Sequence, residues 1–234
     1  MATVIRSAFG FGEALIAVPL LALCMPLSMA APLAVLLSIT IAAVVIVQDW
    51  RHIHLRSALS LVAATVLGIP LGLLLLTHAN QEMVKAGLGI LIAVFAGYSL
   101  MARGRFRLQQ EHRPLLLLSG FLAGVLGGAY GMNGPPLVVY GSLRGWSPQH
   151  FRATLQAYFL PASVLGMVGY WSAGLWTPAV TREFLLSLPA MLPAVFLGRA
   201  INHRFSGDAF LKYVYGGLVL IGATLIYEAI AYHS

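Results

Sequence analysis

The sequence predicts an all-α polytopic membrane protein made of two inverted repeats, each a broken or re-entrant helical segment followed by three transmembrane helices. Three observations carry this reading. Of the 234 residues, 59% are hydrophobic and 9% are charged, with a mean hydropathy of +0.87; soluble domains carry roughly 25% charged residues. Apolar stretches of the length that crosses a bilayer, about 20 residues, recur along the whole chain. Glycine and proline landmarks also return in the same order in each half.

The apolar segments fall at 3–24, 29–48, 57–78, 83–102, 114–143, 151–175, 182–201 and 209–232. Helix is expected throughout, because an open sheet edge leaves backbone groups unsatisfied in lipid. The first 23 residues lack a small-residue cleavage site in the right place and run directly into Pro19-Leu-Leu, so no cleavable leader is expected. The longest polar stretch, 103–113, marks the midpoint. The chain therefore divides into a first membrane repeat over 1–102, a basic cytoplasmic linker over 103–113 and a second membrane repeat over 114–234.

The repeat is read from landmarks. Gly10-Phe-Gly-Glu-Ala-Leu-Ile-Ala-Val-Pro19-Leu-Leu pairs with Gly127-Gly-Ala-Tyr-Gly-Met-Asn-Gly-Pro-Pro136-Leu-Val. Gly72 then pairs with Gly198, and Lys85-Ala-Gly-Leu-Gly89 with Lys212-Tyr-Val-Tyr-Gly216. The fifth segment holds more residues than one crossing needs, and its glycine-rich centre interrupts a helix, so it suits a hairpin within the membrane. With the first segment treated alike, each half has three full crossings, and an odd number inverts one half relative to the other.

Charge placement favours this topology. Eight full crossings divide the 14 Lys and Arg residues 8 to 6 between the two sides. With two hairpins the division of the same 14 becomes 11 to 3, leaving Arg6, Lys85 and Arg182 outside, the asymmetry the positive-inside rule expects. The same distribution explains the net charge of +7 without nucleic acid, since no basic stripe with interleaved aromatics exists. Cys24 is the single cysteine, so no intrachain disulfide forms and a cysteine metal cluster is not expected. His52 and His54 beside Trp50 lack acidic partners and read as interfacial rather than metal-binding. Trp171 and Trp176 read as belt residues.

Candidate site residues cluster at the glycine breaks. Asn133 suits an N-cap and Pro135 the first helical residue, so a half-helix would begin near the bilayer centre. Its free amide end carries about half a positive charge and attracts an anion without Lys or Arg. Gly10 and Gly12 would place a second such end opposite, while Gly128 and Gly134 let backbone approach a ligand; close helix packing is the competing reading. Tyr130, Tyr140 and Gln156 could donate to anion oxygens or simply pack. Arg144 and Arg152, in a loop with Trp146 and Pro148, read as topology anchors. Glu13 stands alone in an apolar segment, where an ionisable group is costly and often functional. It suits a proton carrier or a carboxylate that holds the break.

The two glycine segments resemble the TauE/SafE family of sulfite exporter-like transporters, also called TSUP. In that family each half opens with Gly-x-Gly-Gly-Gly-x-x-x-x-Pro-x-Leu. Gly10 to Leu21 fits the first copy, with Glu13 and Ala14 standing where the pattern has glycine, and Gly127 to Leu137 follows the second more loosely. The resemblance spans nearly the whole chain. It implies a secondary transporter, an exporter of a small organic or sulfur-containing anion such as sulfite or a sulfonate, working by alternating access and open to proton coupling through Glu13. The alternative is a transporter or channel for a cation or neutral solute with Glu13 as ligand.

An enzyme is not expected: Gly-x-Ser-x-Gly, a paired-glutamate motif and His-Glu-x-x-His are all absent. Nor is a cofactor or metal. The expected location is the cell inner membrane, multi-pass, with the lipid bilayer and a small anion as partners, and a homo-oligomer is compatible with this. A reporter fused after Ser234 should read out on the outer side; a cytoplasmic signal would instead support eight full crossings.

Overall fold

The computed structural model describes residues 13–49, 55–101, 112–144, 148–202, 219 and 222–227, and regular structure among them is helical. The helices are α1 Glu13–Ala22, α2 Leu27–Asp49, α3 Leu55–His78, α4 Gln81–Met101, α5 Arg113–Tyr130, α6 Gly134–Leu143, α7 Pro148–Ser172 and α8 Pro178–Asn202, with residues 222–227 also helical. Among the described residues four stretches are long and apolar enough to cross a membrane: Leu27–Val44, Ala58–His78, Gln81–Ser99 and Arg113–Tyr130. Leu59, Leu67, Leu71 and Leu74 of α3 and Leu185 and Leu186 of α8 are exposed, as befits helices whose outer faces meet hydrocarbon rather than water.

The expected segment 114–143 divides into α5 and α6. Gly131 adopts φ 68°, and the turn is closed by Gly131 N–H donating to Gly127 O at 2.9 Å and Met132 N–H to Leu126 O at 3.3 Å. The bond from Gly131 back to Gly127 O is that of an αL cap, which needs a left-handed residue and therefore favours glycine. Helix α6 begins at Gly134, one residue earlier than expected. Pro148 and Arg152, expected in a loop, belong to α7, since proline suits a first helical position. The partner landmarks Gly10, Gly12, Lys212 and Gly216 lie outside the described residues.

Helix directions follow from who meets whom. A Cβ built on Gly120 would meet Leu61, one on Gly124 Thr65, and one on Gly128 Ile69, so α3 and α5 run parallel. Tyr158 reaches Thr65, which bonds Gly120 O, whereas Tyr170 bonds Gly127 O; α7 therefore runs with α5 as well. Helix α2 runs the other way, because Ala31 meets Gly131 while Ser38, further along, meets Ser163. Only residues 144–147 join α6 to the start of α7, so α6 must fold back toward the end from which α5 came. By the same reasoning α1, joined through 23–26 to the start of α2, runs in the sense of α5.

The depth of the turn is fixed by α3. Gly72 lies against Gly128 and Ala129; α3 runs six residues beyond it and α5 only two beyond Gly128, so α3 extends about 6 Å past the end of α5, at about 1.5 Å per residue. The α5–α6 turn is therefore inside the bundle, where Gly131, Met132 and Asn133 are all buried.

Helices α3 and α5 share the most extensive interface. Gly68, Gly72, Gly120, Gly124 and Gly128 bring backbone onto backbone, with the Gly120 Cβ position 2.7 Å from Leu61 O and the Gly124 position 2.9 Å from Thr65 Cα. Lipid tails are as apolar as leucine, so helices in a bilayer gain by such close packing rather than by burial from water. Gly124→Ala should accordingly lower the stability of the detergent-solubilised protein by about 1–3 kcal/mol, the range for overpacking a tight core. Gly97→Ala, whose Cβ would meet nothing within 4 Å, should be neutral or stabilising in the same thermal melt; equal losses at both would discount the interface.

Candidate functional site

The turn between α5 and α6 brings chemistry to one place. Gly131, Met132, Asn133, Gly134 and Pro135 line a cavity of about 30 Å³ together with Glu13, Ala14 and Leu15 of α1, Ser38 of α2 and Phe159 of α7. The cavity is small, with room for water-sized occupants.

Helix α1 carries Glu13 in its first turn, 2% exposed, and α6 begins at Gly134. Their senses of travel are opposite, so the two short helices lead away from the cavity toward opposite ends of the bundle. A carboxylate in a first turn is held favourably by the helix dipole. At α6 the four amide positions ahead of the first intrahelical bond are Asn133, Gly134, Pro135 and Pro136. These are the positions that lack an intrahelical acceptor; two of them are prolines, so only the N–H groups of Asn133 and Gly134 remain to donate. The end is positive in field but sparing in hydrogen bonds.

Polar side chains stand behind this wall. Ser38 Oγ lies 3.4 Å from Ser163 Oγ. Asn133, 7% exposed, directs Nδ2 toward Tyr158 Oη at 3.5 Å, and Tyr158 Oη lies 2.8 Å from Thr65 Oγ1. The Asn133 carboxamide also rests on Gly127: a Cβ there would sit 2.9 Å from both Nδ2 and Oδ1. Gly127 O accepts from Tyr170 Oη at 2.6 Å, which fastens the last turn of α5 to α7.

Of the residues singled out from sequence, Glu13, Asn133, Gly134 and Pro135 meet at the cavity. Gly128 lies against Ile69 and Gly72 of α3, in the helix interface. Tyr130 is buried with its hydroxyl directed at α4, 2.8 Å from the Cβ position of Gly87. Tyr140 is buried among Leu137, Leu155 and Tyr158. Gln156 belongs to α7, and Gly10 and Gly12 lie outside the described residues. Trp171 and Trp176 are exposed at the α7–α8 turn, where Trp176 Nε1–H donates to Thr181 Oγ1 at 2.9 Å. Ser38 and Phe159 were not anticipated. Ser38 interrupts the apolar run Leu33–Ile39 of α2, a signal available in sequence; Phe159 had none, since an aromatic in an apolar helix reads as core.

Comparison with known proteins decides the family. The sulfite exporter TauE/SafE family model matches residues 1–225. The chain belongs to that family. As a member it is a membrane transporter and not an enzyme. Among curated relatives of this TauE/SafE chain is a protein of Cupriavidus necator described as a probable sulfite/organosulfonate exporter TauE, 27% identical over 184 residues that cover 78% of this chain and 70% of the relative. No solved structure matches the chain significantly.

Proposed function

We propose that this protein exports a small sulfur-containing anion, sulfite or a sulfonate, across the cell inner membrane, by alternating access around the cavity between α1 and α6. The observation that carries the reading is the arrangement of those two helices: both begin at one cavity lined by Glu13, Asn133 and Gly134, and they run apart in opposite senses. Interrupted helices that meet at mid-depth with positive ends inward are a way to hold an anion without a buried Lys or Arg. The relative's description as a sulfite/organosulfonate exporter supports the substrate class.

In this reading α1 and the α5–α6 hairpin are the re-entrant elements of two inverted halves, 1–102 and 114–234, joined by the basic linker 103–113. The short helices α1 and α6 stop inside the bundle. Their backbone ends are tolerated at that depth because protein covers them and the cavity takes water. Separation of the α1 side from the α6 side opens the cavity to one face at a time.

Glu13 supplies the coupling. Two negative charges about 4 Å apart repel by about 4 kcal/mol at an effective dielectric near 20, so an anion in the cavity is accommodated only when the Glu13 carboxyl carries a proton. Anion and proton then travel together, and the empty carrier returns with the proton released.

Transport of sulfite into proteoliposomes tests the site. Gly134→Leu should abolish uptake while the protein still purifies as a single species, because the added side chain fills the cavity beside Phe159. Gly134→Ala should retain it, since a Cβ there meets only Phe159 Cζ at 3.9 Å. Full activity of the leucine variant would remove the site. Separately, Glu13→Gln should transport without responding to an imposed pH gradient; a response equal to wild type would assign Glu13 to holding the helix end alone.

A further inference from the structure

Sulfite and a sulfonate carry the same three oxygens on sulfur. They differ at the fourth position, which holds a lone pair in sulfite and a carbon in a sulfonate. The group that faces this fourth position therefore decides between them. Three polar features line the cavity: Glu13 of α1, Ser38 of α2 and the start of α6 at Asn133 and Gly134. Charged oxygens are drawn to these, because a charge set against apolar surface loses its hydration without a replacement. The fourth position is then left to the apolar wall, where a lone pair needs no room and a carbon chain does.

Of the residues that line the cavity, Phe159 has the largest side chain. Helix α7 turns it toward the site: Ser163, four residues further on and so on the same helix face, lies 3.4 Å from Ser38. The ring reaches the start of α6 with its tip. Beyond its own stretch of chain, the Cβ position of Gly134 has one atom within 4 Å, Phe159 Cζ at 3.9 Å, the ring atom furthest from the α7 backbone. The ring is also braced from behind. It meets the Tyr158 ring edge-on, with centroids 5.7 Å apart and planes at 67°, in a buried cluster with Leu137 and Leu155. Interiors packed at that density leave a ring little room to step aside.

We infer that Phe159 is the specificity-determining residue of the site and makes the carrier favour sulfite over sulfonates that bear an organic chain. Its tip stands beside the amide end of α6, so an anion whose oxygens sit on that end brings its fourth substituent within reach of the ring. A close-fitting apolar wall discriminates by about 10–200-fold for one methylene. The hydrogen-bearing edge of an aromatic ring is the positive part of its quadrupole, so the ring narrows the cavity without repelling a negative charge.

This inference rests on the anion site proposed above, and the experiment separates the two. Vmax/KM for sulfite and for propanesulfonate is measured in proteoliposomes for the wild type, Phe159→Ala, Phe159→Leu and Leu155→Ala. The wild type should favour sulfite by at least about tenfold. Phe159→Ala should shrink that ratio about tenfold by gaining propanesulfonate uptake, and Phe159→Leu, shorter at the tip but still apolar, about threefold. Leu155→Ala hollows the same cluster without belonging to the cavity lining, so it should lower both rates alike and leave the ratio unchanged. If Phe159→Ala fails to fold, Phe159→Leu decides alone. A wild type that carries both anions equally well, or a ratio unmoved in the Phe159 variants, would overturn the inference and leave the site standing. An equal shift of the ratio in Leu155→Ala would reduce Phe159 to packing and overturn it too. Transport of neither anion by the wild type would remove the site and the inference together.

Discussion

Backbone contact between α3 and α5 sets the geometry of the rest of the molecule. Glycines at 68, 72, 120, 124 and 128 let each helix meet the other's main chain along the seam. That contact fixes the register of α5 on α3 and hence the depth at which α5 ends. It also leaves Thr65 close enough to bond Gly120 O, which no wider seam would allow. A bilayer gives helices little reason to associate through apolar side chains alone, and the gain here comes from dense, close-range packing.

From that register the cavity follows. Helix α5 stops short of the end of α3, Gly131 turns the chain in a left-handed conformation, and α6 starts back from within the bundle. The turn is held from outside as well as inside: Ala31 of α2 lies against Gly131, and Tyr170 of α7 bonds Gly127 O. Glu13 arrives from α1 on the far side of the same space. A buried carboxyl, a buried carboxamide and a helix end thus line one small cavity.

Several hydroxyls elsewhere in the bundle are spent on structure. Thr40, Thr77, Ser119 and Ser187 donate to carbonyls four residues earlier in their own helices, which satisfies a hydroxyl in an apolar setting without creating a site. Thr65 differs because its second carbonyl belongs to another helix and its third neighbour is Tyr158. This distinction cannot be seen in one dimension, since Thr65 and Thr77 both sit in leucine-rich stretches of α3.

What the sequence determined by itself is the class of molecule, the succession of apolar helices and the interruption near Asn133. These depend on composition, on segment length and on glycine and proline chemistry, all of which act locally. Glu13 was legible for the same reason, as an isolated charge in an apolar run. The tertiary structure alone decided which residues meet. It sent Tyr130 toward α4, Tyr140 into an apolar cluster and Gly128 into the helix seam, and it brought Ser38 and Phe159 to the cavity from α2 and α7. A helix fixes only which of its own residues share a face; which face turns toward which neighbour, and at what depth, is set by the packing of the whole bundle.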